Sequence, residues 1–301
     1  MPDPTALARR RLFRGRLWIV AAALLWSSSG LFAKAPLFTD WAPADRGMLL
    51  AFWRAAFASL VLLPSVRRPR WRPGLIPLVL AFAGMNGIYL VGMSLTTAAN
   101  AIWLQSTSPW WVFLITALFF RREVVGRDLV PLAFALLGVG LILAWEIRGQ
   151  APLGVACGLA AGFFYGIVVV AMWRLSAEDP SWLVALCHAV AALALLPCVL
   201  WIGIWPSWNQ LAVMAAFGVL QMALPYLCLL RGLKIVSGQE AVAIGMIEPI
   251  LMPLWVLLVW GERLAWWTVA GAGLILAGLV LRYVFLEGKP APESAAPILE
   301  G

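Results

Sequence analysis

Two ionisable residues, Glu248 and Arg54, lie deep inside long apolar stretches of this chain. An ionised side chain near the centre of a bilayer costs about 2.5 to 3.5 kcal/mol on insertion scales unless it is paired or hydrated. We therefore expect Glu248 to bind a solute or to exchange a proton. For Arg54 we expect a structural or gating role. In both cases a purely structural ion pair is the alternative.

Two prolines follow polar or charged residues within apolar stretches. Pro249 comes directly after Glu248, and Pro109 comes after Ser106, Thr107 and Ser108. Proline lacks an amide donor and frees a carbonyl one turn earlier, and polar backbone is tolerated at membrane depth where it lines a cavity. The pattern predicts matched breaks in two helices that face a common centre, with simple packing kinks as the alternative.

Other polar and aromatic side chains inside apolar helices must face protein or water rather than lipid. We expect such groups to line a cavity that binds an amphipathic or aromatic solute, and packing within the bundle is the alternative for each. His188, the single histidine, is expected to pack against a neighbouring carbonyl. The candidate binding residues are Trp26, Ser29, Asn86, Tyr89, Trp103, Ser106, Tyr165, Gln221 and Tyr226.

The sequence contains none of the enzyme motifs HExxH, GxSxG or the Walker loop, and no paired intramembrane aspartates. Its 4 cysteines have no metal-ligand spacing, and a lone histidine cannot build a metal site. We therefore predict no enzymatic activity, no catalytic residue, no bound metal and no cofactor. A membrane-embedded enzyme or a lipid-handling scaffold is the alternative from another functional class.

Ten apolar stretches of about twenty residues must position these side chains. The chain is 63% hydrophobic and 12% charged, with a mean hydropathy of +0.91. A hydrocarbon core about 30 Å thick needs about 20 helical residues to cross it. We predict an all-α integral membrane protein with ten transmembrane helices, over residues 17–37, 44–64, 73–95, 98–120, 129–145, 152–173, 181–202, 209–230, 237–260 and 265–285.

An internal repeat organises these stretches. An offset of 140 residues pairs Gly92 with Gly232 and Pro109 with Pro249, and an offset of 136 pairs Gly30 with Gly166. Because five helices per repeat is an odd number, the second repeat must enter the bilayer from the opposite side. We predict two inverted five-helix repeats at residues 17–150 and 151–287, preceded by a basic cytoplasmic arm at 1–16 and followed by a disordered cytoplasmic tail at 288–301.

The basic residues indicate the orientation. The net charge of +8 is spread over short loops rather than one face of a soluble domain, which argues against a nucleic-acid partner. Cytoplasmic loops carry an excess of lysine and arginine. We therefore expect both termini in the cytoplasm of a multi-pass protein of the plasma membrane, the inner membrane in bacteria.

Several short motifs occur in a characteristic order along the chain. They are Leu25-Trp26-Ser27 followed by Lys34, then Arg54, Asn100-Ala101 through Pro109, and Ala241-Val242 through Glu248-Pro249, ending in Gly261-Glu262-Arg263. With these motifs the chain resembles the drug/metabolite transporter superfamily, EamA type, over about residues 17–285. It departs from the pattern at Arg121-Arg122-Glu123, where the family usually has Gly-Glu-Arg.

This resemblance implies a ten-helix carrier whose helices 1, 3, 4, 6, 8 and 9 surround a central cavity. Characterised members mostly export amino acids, metabolites or toxic compounds. We expect a secondary active transporter, an exporter of small organic solutes that works by alternating access, with a proton as coupling ion. An uncoupled facilitator or exchanger is the alternative. Expected partners are a small-molecule substrate, membrane lipid and a proton, and the expected state is a monomer or homodimer.

Overall fold

The computed structural model describes residues 4–119, 126–146, 151–236 and 238–281, and every regular element in these ranges is helical. This confirms the predicted all-α class. The helices are α1 Pro4–Ser27, α2 Ser29–Ala33, α3 Pro43–Leu62, α4 Leu75–Leu95, α5 Ala98–Gln105, α6 Ser108–Phe119, α7 Gly126–Glu146, α8 Pro152–Arg174, α9 Pro180–Ile202, α10 Trp208–Ala216, α11 Leu224–Gly232, α12 Gly238–Gly245, α13 Ile247–Trp260 and α14 Trp266–Val280.

Seven of the described helical segments are long and apolar enough to cross a membrane, and each overlaps a predicted span. The other three predicted spans fall on shorter helices: the pairs α5–α6 and α12–α13, and α14. The count of ten therefore stays a prediction. The seven segments are Arg10–Ala33, Pro43–Ser65, Leu75–Leu95, Leu129–Glu146, Pro152–Arg174, Pro180–Ile202 and Trp208–Gly232.

The basic arm is helical. Helix α1 begins at Pro4, so the arginines before the apolar run lie on the same helix as the first predicted span. Alanine, leucine and arginine are strong helix formers, which explains the extension. The tail at 288–301 and the Arg121-Arg122-Glu123 loop lie outside the described residues.

Local sequence sets where several helices begin and end. The side chains of Thr97 and Asp179 accept hydrogen bonds from backbone N–H groups at the starts of α5 and α9, and Ser207 forms a capping box at the start of α10. Gly203 and Gly261 follow α9 and α13 with φ of 68° and 69°. Glycine adopts this left-handed conformation without steric cost, so both helices end there.

Two helices break at positions separated by 140 residues. Helix α5 gives way to α6 around Ser106, and α12 gives way to α13 at Met246. Pro109 and Pro249 lie in the first turn of the second helix of each pair, where the missing N–H has no helical partner to lose. The chain therefore has the same local architecture at both places.

The most extensive helix contacts join α4 with α8, α7 with α14, α3 with α9, α3 with α4, and α1 with α11. Glycines permit the closest of these approaches. A Cβ atom at Gly138 on α7 would lie 2.5 Å from the carbonyl oxygen of Gly271 on α14, and one at Gly271 would lie 2.7 Å from that of Gly138. Close backbone approach at small residues is the usual way in which membrane helices pack.

Candidate functional site

Arg54 is the centre of a polar cluster inside the bundle. Its side chain is 1% exposed, and its two terminal nitrogens donate to the side-chain oxygens of Asn86 and Gln221, the latter at 3.2 Å. The guanidinium carbon also lies 5.1 Å from the ring centre of Phe217, a cation–π contact. Arg54 thus ties α3 to α4 and to the segment between α10 and α11.

The two amides that hold Arg54 are themselves held. Asn86 donates to the backbone carbonyl of Ala51 at 3.0 Å, and Gln221 donates to that of Trp26 at 3.4 Å. Each amide therefore presents its oxygen to Arg54 and its nitrogen to another helix. A buried polar network satisfied in this way fixes side-chain positions, because each unmade bond would cost free energy.

Gln221 lies in an irregular helical segment. Residues Phe217–Ala223 form a π-helix that joins α10 to α11. Pro225 lies four residues after Gln221 and cannot donate to its carbonyl, so the regular helical ladder is interrupted there. Widened turns of this kind often occur at functional sites. The polar side chain in this segment is the one that reaches Arg54.

An aromatic group continues the cluster. The rings of Trp26 and Tyr226 meet edge to face at 5.2 Å, and Tyr226 meets His188 at 5.5 Å. His188 contacts Phe82 at 4.8 Å and places its Nδ1 2.9 Å from the carbonyl oxygen of Val184. These residues extend the wall of the site from α1 to α9 and α11.

Glu248 lies in the first turn of α13 and is partly exposed. Its charge is within electrostatic range of Arg54, Tyr89 and Tyr226. Among the described side chains, none forms an ion pair or hydrogen bond with its carboxyl group. The site therefore holds a carboxyl group whose oxygens remain available for a proton or for a cationic group of a solute.

The junction of α1 and α2 packs beside Glu248. Ser29 and Tyr89 both donate to the sulfur of Met252, one turn after Glu248, at 2.9 and 3.6 Å. Trp255 donates from its indole nitrogen to Ser27 at 3.0 Å. Ser27 at the end of α1 and Ser29 at the start of α2 thus hold α13 against the core.

The structure places the predicted site residues in two groups. Trp26, Asn86, Gln221 and Tyr226 contact Arg54 directly or through one another, and Ser29 and Tyr89 lie beside Glu248. The other three predicted residues have different surroundings. Trp103 is buried in the main apolar cluster, Ser106 bonds the carbonyl of Ile102 at the α5–α6 break, and Tyr165 is 39% exposed on α8, within electrostatic range of Tyr226.

Sequence reasoning missed Phe217 and Met252 as parts of this site. Phe217 lies one helical turn before Gln221, a spacing that predicts a shared face. Phe217 therefore carried a usable signal, whereas nothing in the sequence distinguishes Met252 from the other methionines.

A second polar network closes one end of the bundle. Lys34, at the end of α2, pairs with Glu262 at 3.0 Å and donates to the carbonyl of Thr96 at 2.6 Å. The other oxygen of Glu262 accepts the backbone N–H of Ala98 at 2.7 Å, at the start of α5. The end of α2, the start of α5 and the segment after α13 are therefore tied together by one carboxylate.

Asn100 extends this closure to α7 and α14. Its amide nitrogen donates to Glu146 at 2.8 Å, and its oxygen accepts from Thr268 at 2.8 Å. Trp267 also donates to Glu146, at 3.1 Å. Lys34, Asn100 and Glu262 belong to separate sequence motifs, and the structure brings them to the same end of the molecule.

The opposite end is rich in basic residues. Asp179 caps α9 there, and Arg72 pairs with Glu178 at 2.8 Å. Burial raises the pKa of Asp179, but backbone N–H groups of Arg67, Ser181, Arg68 and Trp182 together lower it below its ordinary value. This carboxylate thus fastens the segment after α3 to the start of α9.

Known proteins resemble this chain over most of its length. A protein of Archaeoglobus fulgidus described as an uncharacterized transporter is 27% identical over 272 residues, which are 89% of this chain and 96% of that protein. One solved crystal structure, 19% identical, covers 89% of this chain and 96% of its own with a TM-score of 0.62, which shows a likeness of fold.

The sequence pattern of one family matches twice, once in each half. The EamA-like transporter family matches residues 13–144 and again residues 152–284. Together the two matches cover far more than half of the chain, and they include both Arg54 and Glu248. This multi-pass membrane protein belongs to the EamA-like transporter family.

Proposed function

We propose that the chain is a secondary transporter that exports a small organic solute by alternating access to the cluster around Arg54 and Glu248. The observation that carries the proposal is the partly exposed, unpaired carboxyl group of Glu248 near an arginine that is bound by two amides, inside a member of a transporter family. Unpaired intramembrane carboxyl groups are typical of ion and substrate pathways. We propose no enzymatic activity.

Helix contacts support two inverted repeats. If α1 corresponds to α8, α4 to α10–α11, and the pair α5–α6 to α12–α13, contacts of one half should recur in the other. The α4–α8 contact matches α11–α1, the α5–α8 contact matches α12–α1, and the α6–α8 contact matches α13–α1. Inverted repeats of this kind give two exchangeable states around a site near mid-membrane.

Individual glycines support the same correspondence. Gly138 approaches Gly271, and Gly278 approaches Pro131, where a Cβ atom would lie 2.8 Å from the proline carbonyl oxygen. Adding 140 to 138 gives 278, and subtracting 140 from 271 gives 131. The two contacts between α7 and α14 are thus related to each other by the sequence offset.

The distribution of charge supports cytoplasmic termini. The end of the bundle that carries the start of α1 also carries the basic residues after α3 and α11, whereas the end closed by Glu262 has few. Because cytoplasmic loops of inner-membrane proteins are enriched in lysine and arginine, we place the basic end in the cytoplasm. The described residues at that end are Arg10, Arg11, Arg14, Arg16, Arg67, Arg68, Arg70, Arg72, Arg174, Arg231 and Lys234.

We propose a proton as the coupling ion and Glu248 as the group that carries it. A carboxyl group that is partly removed from water accepts a proton more readily than a fully hydrated one, and the terminal nitrogens of Arg54 bind two amides rather than Glu248. The cluster also contains aromatic side chains, which suit an amphipathic or aromatic solute such as an amino acid. These are Trp26, Tyr89 and Tyr226.

The test needs a solute and a proton gradient. A thermal-shift screen of amino acids, nucleosides and organic cations identifies the solute, because a ligand stabilises by mass action. Its uptake into proteoliposomes is then measured under an imposed pH gradient. We expect Glu248→Gln to abolish gradient-driven accumulation while solute exchange continues.

The matched control is Glu178→Gln, which removes a carboxylate paired with the exposed Arg72 at the basic end of the bundle and should leave accumulation unchanged. Accumulation that persists in Glu248→Gln would overturn the coupling role. Wild-type counterflow that is insensitive to the gradient would instead identify an uncoupled facilitator or exchanger.

A further inference from the structure

A surface cavity of about 660 Å³ lies between the start of α1 and the end of α11, far from the cluster around Arg54. Five cations line it, and no carboxylate is among its described lining residues. A concave site with this charge favours an anion. The cations are Arg10, Arg11, Arg14, Arg231 and Lys234.

Glycines bring the two cationic segments close together. A Cβ atom at Gly15 would lie 2.8 Å from the Cβ of Ile235, and one at Gly232 would lie 3.1 Å from the carbonyl oxygen of Gly15. The backbones of α1 and of the end of α11 therefore approach closely. The like charges of both segments therefore line one cavity, and an anion bound there would offset their mutual repulsion.

The nearby acidic residue, Glu240, does not line the cavity. Glu240, at the start of α12, pairs with Arg16 at 2.5 Å. Arg16 is not among the residues that line the cavity, whereas Arg14, two positions earlier, is. Since residues two apart on a helix point in different directions, the ion pair and the cavity lie on different faces of α1.

The rest of the cavity wall is apolar and lies at the membrane surface. Its remaining lining residues are Trp18 and Ile235, and the guanidinium carbon of Arg231 lies 5.2 Å from the ring centre of Trp18. Phe13 and Leu17 beside it are 61% and 51% exposed. Tryptophan is enriched at the membrane interface, and the apolar run of α1 starts at Leu17.

We propose that this cavity binds the phosphate of an anionic phospholipid, with its headgroup among the five cations and an acyl chain along the exposed apolar face of α1. Basic pockets between membrane helices bind phospholipid headgroups by this chemistry. The adjoining exposed Phe13 and Leu17 favour a lipid over a water-soluble phosphate, which has no use for apolar surface. The site does not depend on the identity of the transported solute.

The test measures phosphatidylglycerol bound to the purified, delipidated protein by native mass spectrometry. We expect the double variant Arg231→Gln and Lys234→Gln to weaken binding about thirtyfold, since each surface cation contributes about fivefold. The control is Arg67→Gln with Arg68→Gln, which removes the same charge from another basic loop and should bind as the wild type does. Equal loss in both double variants would overturn the proposal.

Two further measurements distinguish a bound phospholipid from a bound soluble phosphate. Phosphatidylcholine should bind much more weakly than phosphatidylglycerol, and millimolar glycerol 3-phosphate should not displace the bound lipid. Displacement by glycerol 3-phosphate would identify a soluble phosphate site and overturn the lipid assignment. If the double variant has a lowered melting temperature, the single variant Arg14→Gln, at an exposed position on α1, is measured instead. We expect it to weaken phosphatidylglycerol binding about fivefold.

Discussion

At the scale of single residues, Arg54 combines two properties that rarely occur together in a membrane interior. It is almost completely buried, yet two of its nitrogens have amide oxygens as partners rather than a carboxylate. An amide holds the guanidinium in place without neutralising its charge. The positive charge therefore remains available to attract Glu248 or an anionic group of a solute. The strength of this attraction depends on how the site is occupied.

Replacing Arg54 by methionine should destabilise the protein. The side-chain oxygens of Asn86 and Gln221 would lose their donor, at about 1 to 3 kcal/mol for each unsatisfied buried group. We expect a lower melting temperature in detergent for Arg54→Met, and a partial recovery when Gln221→Leu is added, because the second change removes one orphaned oxygen. Arg68→Met, on an exposed residue, is the control and should change stability by less than about 0.5 kcal/mol. Equal melting temperatures for Arg54→Met and wild type would contradict the prediction.

The polar members of this cluster were identifiable from the sequence, because Arg54, Asn86, Gln221 and Tyr226 are polar groups in apolar stretches. The contacts between these residues could not be identified in this way. The sequence shows how far along a helix a residue lies, but not which neighbouring helix its side chain faces. Tyr165 shows the difference: it is a polar aromatic residue in an apolar stretch like Tyr226, but 39% of it is exposed.

At the scale of helices, the two breaks and the π-segment differ in how far they can be foreseen. Pro109 and Pro249 predict interruptions, and the helices end four residues before each proline, at Gln105 and Gly245. The π-segment Phe217–Ala223 arises from Pro225, which in sequence is one more proline in an apolar helix. Whether a proline yields a break or a widened turn depends on neighbouring helices, and that information is tertiary.

The contact between α7 and α14 yields a matched test on glycines. Gly138→Ala and Gly271→Ala would place a methyl group 2.5 and 2.7 Å from backbone oxygens, and overpacking of this kind costs about 1 to 3 kcal/mol. Gly140 and Gly273 lie on the same helices with nothing within 4 Å of an added Cβ.

Because alanine favours helix over glycine by up to about 1 kcal/mol, Gly140→Ala and Gly273→Ala should melt at or above the wild-type temperature. Gly138→Ala and Gly271→Ala should melt below it. Thermal unfolding of the four variants in one detergent provides the comparison, and a single common shift for all four would contradict the packing described for α7 and α14.

At the scale of the whole molecule, hydropathy predicts an all-helical membrane protein and the approximate extent of the long helices, because in lipid each helix must satisfy its own backbone. It does not predict which helix ends meet. Lys34, Asn100 and Glu262 lie up to 228 residues apart (262 minus 34), and their convergence at one end of the bundle is a product of the folded arrangement.

That convergence predicts which end opens when the closing ion pair is removed. Glu262→Gln breaks the partly buried pair with Lys34, and a loss of about 1 kcal/mol shifts the population towards an open state about fivefold.

A single cysteine at Ser29, which is fully buried beside Met252, reports the opening, on a background with the four native cysteines changed to alanine. We expect a membrane-impermeant maleimide to label Ser29→Cys about five times faster when Glu262→Gln is present. Glu178→Gln, which removes a carboxylate at the opposite end, serves as the control and should leave the labelling rate unchanged. Labelling that Glu262→Gln does not accelerate would show that this network holds helices together without controlling access to the site.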